Sequence, residues 1–441
     1  MGKKAPRSTR QSGLVSYVNA LRQQLADRQR VVRVFDVGGS GVKTALFSAP
    51  ALLEFLHFED CGPLAQGYVG EEAVEEMEWI EPPRPLGEAP GERGFAEWLV
   101  NEVPRLKREV NDPHVCFGVS VGGDVDHATG VINDWWPGGG HPKQWDDGRP
   151  SPLVANIMGL PQLRTFVLHD GEAHLLGCSR CAVPPPGLGC LALGTGVGFG
   201  LSDASGAVVD PTTPQGERSH SLGGVPLSGA AYKGVWKRWL ERPGGNNDAV
   251  KEVIATPFAN VVSTPWRIPW VSLVLGRRGM ELAEAAHGAP PPRRGLADGA
   301  DSDGTVADSA RLAAVNAYGE QWLHFLHTQF IPQFSGVSRR HPVERLVFAG
   351  GVVEYNWPLL RDVLLEPDTS KLKPLPPELA GTLADSGSRP SSKRGRSSNT
   401  VSSGGGCLIV GPLAPEGSGL IGAGLYALAG MGGGASGIWA H

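Results

Sequence analysis

The sequence has few cysteines, no excess of basic residues and no long apolar run free of glycine, and each shortage excludes a class of protein. Six cysteines spread over 441 residues predict free thiols in a reducing compartment instead of a disulfide framework. Forty Lys and Arg against 45 Asp and Glu give a formal net charge of -5, so no overall positive field attracts nucleic acid. The composition favours a small-molecule or protein partner.

The ends of the sequence also lack the patterns of a secreted or membrane protein. The opening MGKKAPRSTR has no apolar core, which predicts against a secretory signal. Segment 417–440 has nine glycines among 24 residues, which favours a buried helix followed by a loose end over a membrane span. We expect a soluble, cytoplasmic protein with no membrane partner. Residues 1–30 carry seven Lys or Arg and apolar residues at helical spacing, so organelle targeting stays open beside a packed or solvated helix.

The length favours two α/β lobes, because 441 residues exceed one ordinary domain. Apolar runs that end in glycine predict strands, and helical patterns separate them. In open α/β sheets, ligands collect outside the carboxyl ends of such strands. The predicted organisation is a basic extension at 1–30, an N-terminal lobe at 31–162 and a C-terminal lobe at 163–441, with mobile insertions rich in Pro, Gly and Ser at 288–305 and 367–406.

Two glycine-rich turns suit the phosphates of a nucleotide, since glycine lets backbone N–H groups approach phosphate oxygens. An ordinary hairpin is the alternative interpretation of either turn, and the first turn has no Walker spacing. Asp36, next to the first turn, is a candidate for the water shell of a magnesium ion. The remaining candidates are Gly38, Gly39, Ser40, Gly41 and Lys43 in the first turn and Gly194, Thr195 and Gly196 in the second.

Asp170 is the candidate catalytic residue. It follows the apolar run 165–168 and opens a helical pattern. Its carboxylate then either caps that helix or orients and deprotonates an attacking hydroxyl. Both interpretations remain open from the residues alone.

Seven motifs occur in the order DVGGSGVK, GVSVGGDVD, HDGEAHLLG, LALGTGVGFG, GERSH, FAGGVV and GLIGAGLYAL. In this order they resemble the ROK family of sugar kinases and the related glucokinases. The resemblance implies a two-lobed actin-like ATPase fold, which is ribonuclease H-like, with the active site in the cleft between the lobes. It also implies transfer of the terminal phosphoryl group of ATP, with Mg2+, to a hexose hydroxyl, with glucose or a related hexose as acceptor.

The resemblance also implies roles for individual residues. Asp170 falls on the family's catalytic base, with His169 and Glu172 where the family has asparagines. Gly350 and Gly351 match the glycine pair near the adenosine, and the two turns match the phosphate-binding turns. The candidates for sugar binding are Glu217, His220, Asn133, Asp134, His169 and Glu172, of which Asn133 and Asp134 align only loosely.

Departures from the family pattern leave other functions open. No cysteine follows His220 in SLGGVPLSGAAYKG, so the zinc motif of many family members is absent and we predict no structural metal. One alternative is a non-catalytic sugar-sensing or scaffold protein that keeps the fold. Another is an actin-like nucleotide hydrolase or acyl-activating enzyme. The sequence does not decide which sugar is used, whether polyphosphate replaces ATP, or whether two copies form a homodimer.

Overall fold

A computed structural model describes about half of the chain, which includes most of the predicted strands. The described residues are 7–38, 41–55, 75–80, 91–122, 125, 154–155, 158–179, 182–194, 196–209, 275–289, 304–326, 330, 341–365, 408–410 and 417–439. The structural statements below concern these residues.

The described strands and helices alternate in the manner of an α/β protein. The strands are β1 (Val31–Gly38), β2 (Gly41–Ser48), β3 (Glu75–Ile80), β4 (Val115–Val121), β5 (Thr165–His169), β6 (Leu188–Leu193), β7 (Val197–Ser202), β8 (Val208–Val209), β9 (Arg345–Ala349) and β10 (Leu408–Val410). The helices are α1 (Arg7–Leu25), α2 (Ala49–Phe55), α3 (Gly91–Glu102), α4 (Leu106–Asn111), α5 (Asp170–Ser179), α6 (Arg277–His287), α7 (Gly304–Phe325), α8 (Gly351–Leu365) and α9 (Ser418–Met431).

These strands form two five-stranded sheets with the same topology. The orders are β3-β2-β1-β4-β5 and β8-β7-β6-β9-β10. In each sheet the first three strands in sequence form an antiparallel meander, and the last two add in parallel beside the first. This is the strand order of a ribonuclease H-like sheet, present twice. The predicted actin-like fold class is therefore confirmed.

Strand β5 lies in the first sheet, where Thr165–His169 pairs in parallel with β4. The predicted lobe boundary lies just before this strand, between residues 162 and 163, so the first sheet takes its last strand from beyond that boundary. The division into lobes itself stays a prediction. The expected insertion at 367–406 falls outside the described residues, as does most of the insertion at 288–305.

Helices α5 and α9 each follow the last strand of a sheet and pack against each other between the sheets. One apolar cluster contains residues of both helices together with Val34 of β1 and Cys190 of β6. Helix α9 is buried along almost its whole length, as the sequence predicted for this glycine-rich segment. No helix among the described residues is long and apolar enough to cross a membrane.

Helix α1 is a packed element of the core. Tyr17, Leu21 and Leu25 are buried in the same apolar cluster as α9. The segment after α9 is not the loose end that its glycine content predicted. It forms a 3-10 turn, Ala435–Ile438, that packs on α1, because Gly13 and Gly437 lack side chains and their backbones come into contact. Organelle targeting by residues 1–30 stays a prediction.

A buried ion pair fixes α4 to the first sheet. Arg33 on β1 donates from Nε and Nη2 to the two carboxylate oxygens of Glu109, at 2.8 and 2.6 Å. Both residues are buried, and a bidentate pair of this kind restricts orientation as well as distance. The strand that carries Asp36 is thereby held to the helix behind it.

We expect Leu21→Ala to destabilise the protein by about 2–5 kcal/mol, because it leaves a cavity in the core between α1 and α9. Urea unfolding followed by circular dichroism measures the change. Val15→Ala is the matched control, since Val15 lies on the same helix but is 53% exposed. Equal, small effects of the two substitutions would show that α1 is not part of the stable core.

Candidate active site

The carboxylate of Asp170 lies between the two sheets. A Cβ atom added to Gly122, at the end of β4, would lie 3.5 Å from Oδ2 of Asp170. A Cβ atom added to Gly198, on β7 of the second sheet, would overlap Oδ1 of the same carboxylate. Glycine at position 198 therefore makes room for Asp170 at the point where both sheets approach it.

The first turn of α5 is capped by the neighbours of Asp170. His169 precedes the helix, and its Nδ1 accepts a hydrogen bond from the N–H of Gly171 at 3.1 Å. Glu172 reaches back, and its Oε2 accepts the N–H of His169 at 3.1 Å. This reciprocal arrangement is a capping box. Because His169 and Glu172 satisfy the helix start, the side chain of Asp170 is not required as the cap, although its Oδ1 also accepts the Gly171 N–H at 2.7 Å.

His169 and Glu172 are both buried, and capping accounts for the bonds described above. Their predicted contact with a sugar stays a prediction. Asp170 differs from them, because its side chain is 30% exposed to solvent. His169 Nε2 lies 3.2 Å from Asp170 Oδ1.

The surroundings of Asp170 make it a better base than an ordinary aspartate. Its pKa is raised from 3.8 to about 7, and burial is the largest cause. The negative charges of Asp36 and Glu172 also raise the pKa, whereas His174 and the N–H of Gly171 lower it. A general base is most effective when its pKa lies near the working pH. The carboxylate of Asp170 meets that condition at neutral pH.

Asp36 lies on β1, at the carboxyl end of the strand. Its Oδ1 accepts a hydrogen bond from the hydroxyl of Ser120 on β4 at 2.8 Å. Lys43 is its cross-strand partner on β2, so a carboxylate and an ammonium group occupy neighbouring strands beside the first glycine-rich turn. Gly38 and Gly41 pair at the end of this hairpin.

The second glycine-rich turn lies at the carboxyl end of β6. Gly194 donates its N–H to the carbonyl of Gly196 at 3.1 Å, and the carbonyl of Gly194 accepts the N–H of Arg277 at 2.8 Å. Gly350 follows the neighbouring strand β9 with φ +91° and packs against Leu193 of β6. Only glycine adopts this φ without strain.

Gly194 and Gly351 lie at the carboxyl end of the second sheet. A Cβ atom added at either position would meet no atom of the described residues within 4 Å. Gly351 begins α8, so the N-terminus of a helix lies beside the second turn. This surface suits a phosphate chain or the nucleoside attached to it.

The sequence did not predict the part played by His174. It lies one turn after Asp170 on α5, and its Nδ1 is 2.6 Å from the hydroxyl oxygen of Ser418 at the start of α9. Both side chains are buried. Burial lowers the pKa of His174, an effect that the charges of Asp36 and Asp170 oppose. The sequence alone does not show that His174 lies near the carboxylates of Asp36 and Asp170, because only the fold brings these three residues together.

A magnesium ion fits these residues only together with a bound polyphosphate. No group of three metal-ligating side chains occurs among the described residues. Mg2+ usually keeps several waters and takes one or two carboxylates plus substrate phosphates. The partly exposed carboxylate of Asp36, close enough to Asp170 to raise its pKa, suits such a water-mediated site. Bound there, the ion would neutralise phosphate charge.

Several predicted residues fall outside the described part of the chain. They are Gly39, Ser40, Thr195, Glu217, His220, Asn133 and Asp134. The structure places Asp36 close enough to Asp170 to raise its pKa, and it places the described glycines of each turn at the end of a sheet. The predicted sugar contacts stay predictions.

Among known proteins, this chain is similar to several solved structures. No protein-family model matches the chain, and no curated protein matches it. The ROK hexokinase of Thermus thermophilus is 17% identical, with 90% of this chain and 97% of that chain covered and a TM-score of 0.40. The ROK family glucokinase of Streptomyces griseus, solved with glucose and AMPPNP, is 14% identical, with 89% and 98% covered and a TM-score of 0.42.

A glucokinase of Balamuthia mandrillaris, solved with glucose, is 13% identical, with 96% of this chain and 99% of that chain covered and a TM-score of 0.42. The family named in the first two structures is the one that the sequence motifs resemble. Because identities and TM-scores are this low, the fold assignment depends on the strand order and register described above.

We expect Asp170→Asn to stabilise the protein at about pH 8 more than at about pH 5. The folded pKa of about 7 lies above the ordinary value of 3.8, so the fold favours the protonated acid. The preference of the fold for protonated Asp170 stabilises the protein at low pH, and this stabilisation is lost as the pH rises through 7. A neutral amide at position 170 avoids that loss.

Thermal unfolding of wild type and variant across this pH range measures the difference. Glu97→Gln, which removes an exposed carboxylate, is the control. A difference between Asp170→Asn and wild type that stays constant with pH would contradict the raised pKa.

Proposed function

We propose that this protein is an ATP-dependent sugar kinase that transfers the terminal phosphoryl group to a hexose hydroxyl, with Asp170 as general base. The observation that supports it is the position of one carboxylate between two ribonuclease H-like sheets. Asp170 has a pKa near neutrality and lies beside Asp36. Each sheet also has a glycine-rich turn at its carboxyl end. Phosphoryl transfer needs a base for the acceptor hydroxyl and donors for the phosphate charge.

The proposed reaction moves one proton and one phosphoryl group. The acceptor hydroxyl gives its proton to an oxygen of Asp170 as its oxygen bonds to phosphorus. The bond between that phosphorus and the bridging oxygen of the nucleoside diphosphate breaks, and the diphosphate leaves with the electron pair. Backbone N–H groups of the two turns and Lys43 stabilise the charge on the phosphates. Asp36 would hold the water shell of a magnesium ion, whose charge would offset that of the phosphates.

Glucose or a related hexose is the proposed acceptor. Glu217 and His220 are proposed to contact its hydroxyls, since carboxylate and imidazole groups give paired donors and acceptors for a sugar. Two of the similar structures were solved with glucose. Asn133 and Asp134 remain weaker candidates for the same surface.

A coupled assay for nucleoside diphosphate tests the function directly. Glucose, mannose, N-acetylated hexosamines, fructose and ribose are each supplied with ATP and Mg2+, and we expect diphosphate release that depends on one of the hexoses. Release at equal rates without any sugar would indicate a nucleotide hydrolase. Binding of sugar without release would indicate a sensor.

Asp170→Asn is expected to lower kcat by about 10²–10⁴-fold, because the amide does not accept the hydroxyl proton. The Kd for the sugar, from isothermal titration calorimetry, should stay within about twofold, since the amide keeps the size and one acceptor of the carboxylate. Glu97→Gln again serves as the control for loss of a remote carboxylate. Wild-type turnover by Asp170→Asn would remove Asp170 from the role of base.

The pH profile gives an independent test of the same residue. Asp170 accepts a proton only when ionised, so kcat/KM should fall below a pKa of about 7 and level off above it. Initial rates at subsaturating sugar concentrations, measured across the pH range, give this fall in kcat/KM. A profile that stays flat down to about pH 5 would show that the reaction does not depend on a base with a raised pKa.

A further inference from the structure

Helices α5 and α9 meet mainly through their backbones. A Cβ atom added to Gly177 would overlap the carbonyl of Ser418, and one added to Gly422 would overlap the carbonyl of Ala173. Such contacts bring the helices close together. They do little to fix the position of one helix along the other, because they contain no side-chain hydrogen bond. The pair of His174 Nδ1 and Ser418 Oγ, at 2.6 Å, supplies a directional bond across the same contact.

Each end of this bond is connected to one of the two site carboxylates. Asp170 lies four residues before His174, one turn away on the same face of α5. On the other side, α9 packs against β1, the strand of Asp36. A Cβ atom added to Gly419 would lie 3.1 Å from Nε2 of His174 and 3.4 Å from Oδ2 of Asp36. The imidazole and the Asp36 carboxylate therefore face the same backbone position.

We propose that His174 is a positioning residue that, through its hydrogen bond to Ser418, sets the position of Asp170 relative to Asp36. It does not touch the reacting groups in this proposal. The bond fixes the register of α5 against α9, and α9 is in turn fixed against the strand of Asp36. A shift of about 1 Å in a reacting group is enough to cost on the order of a hundredfold in rate.

The pKa of His174 is lowered, which favours a neutral ring. Burial is the largest cause and the charge of Lys43 adds to it, whereas the carboxylates of Asp36 and Asp170 act in the opposite direction. A neutral imidazole whose proton is on Nε2 leaves Nδ1 to accept the hydroxyl proton of Ser418.

The kinetic test of this inference relies on the proposed kinase activity. His174→Ala and Ser418→Ala should each lower kcat by about tenfold, with KM for sugar and for ATP within about twofold, because geometry changes and binding groups do not. The double variant should be no slower than the slower single variant. His174→Asn, whose amide lies near the position of Nδ1, should recover most of the lost kcat.

Ser179→Ala is the matched control. Ser179 is a buried serine on the same helix, and its hydroxyl bonds to the carbonyl of Leu176 in that helix. It should lower stability without lowering kcat. A loss of kcat below about threefold in His174→Ala, or no recovery in His174→Asn, would overturn the inference.

A second measurement decides the inference without catalysis, so that failure of the kinase proposal does not leave it undecided. Urea unfolding at about pH 8 gives the effect of Asp170→Asn on the unfolding constant in wild type and in Ser418→Ala. We expect these effects to differ by about threefold or more, and to become equal when His174 is alanine in both backgrounds. Equal effects in the presence of His174 would overturn the positioning role even if the protein proves to be an active kinase.

Discussion

The close contact of α5 with α9 determines how near the two sheets come to each other. Backbone reaches backbone at Gly177 and Gly422, because neither residue carries a side chain that would separate the helices. Gly118 on β4 similarly lets α9 lie directly on the first sheet. The helix that starts with Asp170 therefore lies between two sheets of equal topology. A larger residue at any of these glycines would separate the sheets whose facing ends form the site.

The sequence predicted most of the fold because its strands and glycines follow simple rules. Apolar runs that end in glycine became β1, β4, β6 and β9, and Pro104 lies between α3 and α4, as the interruption by proline predicts. The strand order was not predictable from periodicity, since pairing of β5 with β4 or of β10 with β9 joins residues far apart in sequence. Helix α6 was also not predicted, although its alternation of charged and apolar residues at helical spacing was present in the sequence.

The candidate site was predicted in part. Asp36 and Asp170 each lie at the end of an apolar run, and an acidic residue in that position can be recognised from the sequence. The capping of α5 by His169 and Glu172 was not predicted, because the sequence indicated Asp170 as the possible cap residue. Only the three-residue spacing from His169 to Glu172 matches a capping box. The bond between His174 and Ser418 was not predictable, since 244 residues separate its partners and only the packing of α5 on α9 brings them together.

In the proposed mechanism the Asp170 carboxylate faces an acceptor hydroxyl and a nucleotide held by the two glycine-rich turns. A crystal structure of Asp170→Asn with a hexose and a non-hydrolysable ATP analogue would show both ligands in place. We expect a sugar oxygen within about 2.6–3.2 Å of the side chain of residue 170, facing the terminal phosphate. A sugar bound away from residue 170, with the phosphates outside both turns, would contradict it.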